Sequence, residues 1–280
     1  MQRAEAPGPP GVALYPRIDA VVLAGGRPDP SLAGAMRPKA FARVGGRAIV
    51  AHVLDALRGT PRIGRIALVG PLPLPPDISA RVDTPVEEHG SLPANVAAGL
   101  AALGGNAPVL AVPADIPLLS RRGVEAFLDG AARLDGDAWY AAIPREDVDR
   151  EFPGARKTFI RLADGVFCAG NLILVRPQAF ARARPMIDRA IRARKNPWAL
   201  ATLFGPWALI GIVTGRLTLS ALEERVARIA GIRVRAVICR CPECAIDVDG
   251  RASLEFAERH LAERRSMVAQ PRHEMEMETR

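Results

Sequence analysis

The segment Ile18–Ala24 is an apolar run that ends in the pair Gly25-Gly26. A run without a polar face fits a strand covered on both sides, the environment of a parallel sheet. A strand that delivers the chain to a glycine pair reads as a strand-to-loop junction at the carboxyl edge of that sheet, where open α/β folds bind ligands. The same alternation recurs. Ala48–Leu57 carries apolar residues at helical spacing, and Ile66–Val69 is a short apolar run closed by Gly70-Pro71. Leu92–Leu103 reads as a helix ended by Gly104-Gly105, Val109–Val112 as a third buried strand, and Arg122–Leu134 as another helix. Strand and helix in alternation predict an α/β fold: a mostly parallel sheet with helices on both faces.

The second half is less regular. Trp139–Ile143, Thr158–Leu162, Cys168–Val175, Val234–Cys239 and Ile246–Val248 read as strands. Pro177–Leu222 is mainly helical and apolar, an extra helical element inserted at about 180–230, and Ser253–Ala262 reads as a closing helix. The expected layout of the 280 residues is a flexible segment 1–16, one domain over 17–264 and a disordered tail 265–280.

Charge and cysteine usage narrow the partners. The net charge of +8 asks for anions, which nucleotides and phosphates supply as well as nucleic acid does. No aromatic-rich basic stripe favours RNA or DNA, so no nucleic-acid partner is expected. The basic residues are almost all arginine; the lysines are Lys39, Lys157 and Lys195. Met1–Pro16 lacks the apolar core of a secretory signal, and three of the four cysteines (Cys239, Cys241, Cys244) sit together instead of spreading into a disulfide framework. A cytoplasmic protein is expected. Trp198–Gly215 has no charged residue, but prolines and glycines break it. It reads as short buried helices, with a membrane or apolar-substrate surface as the alternative.

The glycine pair gains meaning from the residues downstream of it. Gly25-Gly26 lets the backbone approach a ligand and offer its N–H groups to phosphates. Lys39 adds a point charge, with Pro38 fixing the chain before it. Val21-Val22-Leu23-Ala24-Gly25-Gly26, then Arg37-Pro38-Lys39, then Val44-Gly45-Gly46-Arg47 resemble the signature of MobA-like and sugar-phosphate nucleotidyltransferases. The resemblance spans roughly residues 18–262. It implies a Rossmann-like nucleotidyltransferase (GT-A-like) fold and transfer of a nucleoside monophosphate from an NTP, GTP or CTP favoured, to a phosphorylated small-molecule acceptor with release of pyrophosphate.

The resemblance also implies a site. Val112-Pro113-Ala114-Asp115 resembles the family's metal-binding strand end, and Asp247-Val248-Asp249 its final acidic motif. Asp115 and Asp249 are thus the expected ligands of Mg²⁺, which prefers hard oxygen donors. With Lys39 they form the expected catalytic set. Leu23, Ala24, Gly25, Gly26, Arg27 and Arg37 are expected around the triphosphate, Gly90, Ser91 and Asn95 around the base and ribose, and Gly170 and Asn171 along the acceptor. The loop Arg27–Met36 departs from the family pattern, which places an Arg-Met pair soon after the glycines; either Arg27 or Arg37 would supply the missing charge. Lys157 faces the acceptor or is a solvated charge. Cys239, Cys241 and Cys244 read as partly buried free thiols, with a zinc or iron–sulfur site as the alternative. Two other functions compete. One is a GT-A-type glycosyltransferase, which Asp247-Val248-Asp249 fits in spelling but not in position. The other is a non-catalytic nucleotide-binding protein with a partner or membrane surface at 198–215. The sequence leaves the oligomeric state open.

Overall fold

The computed structural model describes residues 15–26, 28, 38–193, 211 and 214–269. Strand β1 (Ile18–Leu23) lies in the interior of the sheet, next to its middle strand. It pairs in parallel with β4 (Ile63–Gly70) on one side and with β6 (Val109–Pro113) on the other. Strand β5 (Thr84–Glu87) adds in parallel to β4 and forms one edge. Beyond β6 runs the long β9 (Gly165–Val175), antiparallel to both β6 and β7 (Ala138–Pro144). Strand β10 (Val234–Ile238) closes the far edge, parallel to β7. The order is β10-β7-β9-β6-β1-β4-β5, with β8 (Ile160–Leu162) paired to β9 off this path. A separate hairpin is formed by β2 (Arg43–Val44) and β3 (Arg47–Ala48). The expected mostly parallel α/β sheet is thus present, with β9 as its antiparallel member.

Both faces are covered because strand side chains alternate. Ala20, Val22 and Ala24 of β1 point into one apolar cluster with α1 (Ile49–Arg58) and α4 (Arg121–Ala132), around the fully buried Phe127 and Trp139. Val21 points the other way, with Ala67 and Val69, into a cluster with α3 (Leu92–Leu103) and α6 (Pro177–Ala193). Ser91 and Ser120 start α3 and α4, each accepting a hydrogen bond from an amide three residues on. Thr218 does the same for α7 (Leu219–Ala230). Short helices α2 (Pro76–Ser79) and α5 (Arg145–Glu151) come after β4 and β7.

Two expectations change. Ile246–Val248 is not a strand: a 3-10 turn over Pro242–Ala245 precedes it, and its backbone is extended but outside the sheet. The closing helix, α8 (Arg251–Ala269), is longer than Ser253–Ala262 and takes in the first residues assigned to the tail. Most of Trp198–Gly215 lies outside the described residues, as do Arg27, Arg37 and nearly all of the loop between them. Among the described residues, no helix is long and apolar enough to cross a membrane.

The contact between α3 and β1 is tight at Gly99, where an added Cβ would lie 2.4 Å from Val21 Cγ1. Gly99→Val is expected to destabilise the protein by about 1–3 kcal/mol through overpacking. For a chain of this size each kcal/mol lowers the melting temperature by roughly 2–4 °C. An unchanged melting temperature in calorimetry would show that α3 can move off the sheet without cost.

Candidate active site

The carboxyl ends of β1 and β6 stop side by side. The Ala114 amide donates to the Leu23 carbonyl at 3.0 Å, which extends the parallel pairing one step past both strands. Asp115 comes next and stands beyond the sheet edge. The chain after β1 returns at Pro38, whose carbonyl accepts from the Phe41 amide to start a 3-10 turn over Lys39–Phe41. Ala40 of this turn is buried, which leaves Lys39 facing outward. The third segment is Ile246–Asp249. Ile246 and Val248 are buried against Ile49, Leu118 and Phe152. Alternation along an extended chain then turns Asp247 and Asp249 to the other side. The Val248 amide donates to the Asp115 carbonyl at 2.8 Å, which ties the two acidic segments together.

These three segments meet at one nitrogen. Lys39 Nζ lies 2.7 Å from Asp115 Oδ2 and 2.7 Å from Asp249 Oδ1. Burial pulls the Lys39 pKa down, but its pairing with Asp115 and Asp249 outweighs this and holds it above the ordinary value. The Lys39 hydrogen bond holds the Asp249 carboxyl below its usual range, against a smaller opposing push from burial. Asp247 behaves in the opposite way. Burial pushes its carboxyl up, and the ion pair with Lys157 only partly offsets that. Ser253 Oγ accepts from the amides of Asp249 and Gly250 and fixes the start of α8 behind the acids.

Two carboxylates that converge on one cation form a donor set suited to a divalent metal. Among the described residues, no group of three or more His, Cys, Asp or Glu side chains could cage an ion. A pair of carboxylates that leaves most of the coordination sphere to water and phosphate suits Mg²⁺.

The glycine loop lies beside this cluster at the end of β1. Gly26 has φ 123°, a conformation open to glycine. Its amide donates to Glu88 Oε2 at 2.8 Å. The same carboxylate oxygen would lie 2.3 Å from a Cβ placed on Gly25. Asn95 is buried and accepts at 2.6 Å from the His89 amide, which holds the turn through Gly90 against α3. Ser91 is occupied as the α3 cap. Gly170 is buried in β9 against Ala141, and the Asn171 side chain donates to the Cys244 carbonyl at 3.0 Å. Asn171 thus holds the 3-10 turn that leads into Asp247.

Glu88 escapes sequence reasoning. It lies just past β5, an edge strand with only half-buried and exposed side chains and no apolar run to announce it. The Lys157–Asp247 pair is also hidden, because nothing local joins two residues so far apart. The four cysteines are free and buried. Cys239 is pushed up to about 12: its contact with Cys241 pulls it down, while a hydrogen bond involving Cys244 and burial raise it further. Its hydrogen bond with Cys239 and burial likewise raise Cys241. These two thiols stay protonated and inert near neutral pH.

A sequence model of the MobA-like NTP transferase domain matches residues 20–203. The matched segment takes in Lys39 and Asp115; Asp249 lies beyond it and reaches the site through the fold. The bifunctional enzyme IspD/IspF of Rhizorhabdus wittichii is 30% identical over 244 residues, which cover 77% of this chain and 58% of that enzyme. The chain therefore spans less than two thirds of that relative. A hypothetical transferase from Thermus thermophilus superposes with a TM-score of 0.78 at 33% identity, covering 85% of this chain and 99% of the other. A 4-diphosphocytidyl-2C-methyl-D-erythritol synthase from Anaerococcus prevotii shares the fold, with a TM-score of 0.54 at 15% identity over 88% of this chain and 98% of the other.

The charge arrangement sets a titration order in the metal-free protein. Carboxyl NMR is expected to show Asp249 titrating below the ordinary aspartate range and Asp247 above it. Lys39→Met should move Asp249 upward. Stability contributed by Asp249 is full above its unfolded pKa of about 3.9 and is lost as pH falls through the lower folded value. Asp247 acts in the other direction, favouring the fold as pH falls through its raised value. If Asp249 stayed depressed in Lys39→Met, Lys39 would not be its controlling partner.

Proposed function

The chain belongs to the MobA-like NTP transferase family, and from that premise we propose that it transfers a nucleoside monophosphate from GTP or CTP to a phosphorylated acceptor, with Mg²⁺, releasing pyrophosphate. The observation that carries this reading is the position of Lys39 Nζ, 2.7 Å from carboxylate oxygens of both Asp115 and Asp249 at the end of the central strands. That point already balances one positive charge against two negative ones. A nucleoside triphosphate brings several more negative charges to it, and a metal supplies the balance.

The reaction forms a bond from an acceptor phosphate oxygen to the α-phosphorus and breaks the bond from that phosphorus to the oxygen bridging to the β-phosphate. Little covalent work falls to the protein, so catalysis is positioning and charge neutralisation. Asp115 and Asp249 would hold Mg²⁺, which when bound would supply Lewis-acid polarisation of the phosphate oxygens. Lys39 neutralises charge that builds on the reacting phosphoryl group. Its raised pKa keeps it protonated at neutral pH. The Gly26 amide, now given to Glu88, is the donor a phosphate oxygen would take.

Three outcomes are expected. In a thermal-shift screen of the four NTPs with Mg²⁺, GTP or CTP raises the melting temperature, since a ligand at 100 times its Kd adds about 2.7 kcal/mol. Lys39→Ala lowers the rate of pyrophosphate release by about 10²–10³-fold while the nucleotide still binds; unchanged turnover would remove Lys39 from the chemistry. Glu88→Gln tightens NTP binding several-fold in calorimetry, because a carboxylate and a phosphate compete for the Gly26 amide and repel each other. Weaker binding in Glu88→Gln would make Glu88 a nucleotide contact instead.

A further inference from the structure

A cleft of about 540 Å³ opens between the loop Gly154–Lys157 and the first turns of α8. It is of small-molecule size. Asp249 lines it, so the cleft borders the Lys39–Asp115–Asp249 cluster at that residue. Its floor is apolar, made by Ile246 and Phe256. Its walls carry Arg156, Lys157, Arg251 and Arg259.

The charges in the cleft do not cancel. The two acids that line it, Asp247 and Asp249, are each taken by a lysine, Lys157 and Lys39. Arg251 pairs with Glu255 of its own helix, four residues on. Arg156 and Arg259 have no carboxylate partner among the described residues; Arg259 lies over the Phe256 ring at 5.8 Å, which orients its guanidinium. An arginine held on a ring face keeps its donors free for a planar anion. Two guanidiniums without carboxylate partners, on opposite walls of a cleft that Asp249 also lines, form a receptor for an anion.

We infer that this cleft binds a second acidic group of the acceptor, a carboxylate or a phosphate remote from the phosphate that attacks. The acceptor is then a small compound with two anionic groups, one at Asp249 and one between Arg156 and Arg259. This inference rests on the proposed nucleotidyl transfer, because that reaction places the acceptor's reacting phosphate at the Asp249 end.

Calorimetry with Mg²⁺ and three probes tests it: glycerol 3-phosphate with one anionic group, 3-phosphoglycerate with an added carboxylate, and 2,3-bisphosphoglycerate with an added phosphate as well. At least one of the probes with an added anion is expected to bind about tenfold more tightly than glycerol 3-phosphate, the size of a charge-assisted hydrogen bond. The double variant Arg156→Ala/Arg259→Ala should lose that preference while its binding of GTP or CTP stays unchanged, which also shows that it is folded. Arg156→Glu alone, at an exposed position, should reverse the preference. Equal affinities for all three probes in the native protein, or a preference that survives the double variant, overturn the inference. Nucleotide binding persists in either case, so the cleft fails and nucleotidyl transfer stands. If no NTP binds while the preference for a second anion holds, the reverse is true.

Discussion

A single backbone hydrogen bond, from the Val248 amide to the Asp115 carbonyl at 2.8 Å, holds together the two acids on which the site depends. Asp115 comes from the end of β6 and Asp249 from just before α8, segments far apart along the chain. The bond works because both partners are already placed. The Leu23–Ala114 contact fixes Asp115 past the sheet edge. The burial of Ile246 and Val248 among Ile49, Leu118 and Phe152 fixes the other stretch of chain. An extended backbone with alternate residues buried has no freedom over which way Asp247 and Asp249 point. The acids are therefore set by packing and backbone pairing and need no ligand to converge.

Charge is distributed by the same logic. The chain carries 38 basic residues, nearly all arginine, yet both described lysines pair with acids of one three-residue stretch, Lys39 with Asp249 and Lys157 with Asp247. Lysine is a compact point charge, whereas the arginine fork demands a planar, bidentate partner. The smaller head fits between Asp115 and Asp249 at 2.7 Å from each. The opposite shifts of Asp247 and Asp249 result from this placement: one acid is half-buried and incompletely paired, the other is exposed and directly bonded to Lys39.

The sheet was readable where burial wrote a continuous apolar pattern. β1, β4 and β6 lie at or beside the centre, covered on both faces, and their apolar runs mark them, β1 and β6 within a residue or two and β4 only over its last half. β5 left no such trace, since its residues alternate between half-buried and exposed at the sheet edge. The segment Ile246–Val248 misleads for a related reason: buried residues at every second position look like a strand, but the pattern arises from docking on α1 and α8, with no neighbouring strand. In the site, Lys39 and Asp115 stand out from local context, a Pro-Lys turn and an acid after a buried strand. Glu88 does not, because its role depends on the distance between the end of β5 and the glycine loop, which is a property of the sheet order β1-β4-β5 and of no sequence window.

Sheet order also decides which segments of the chain reach Lys39. The parallel half, β6-β1-β4-β5, carries Asp115 after β6, the glycine loop after β1 and Glu88 just past β5, where Glu88 takes the Gly26 amide. The antiparallel β9 reverses the direction of the chain, and its Asn171 grips the 3-10 turn that carries the chain into Asp247. The two halves meet at Lys39, the cation that touches one acid from the end of β6 and one from just before α8.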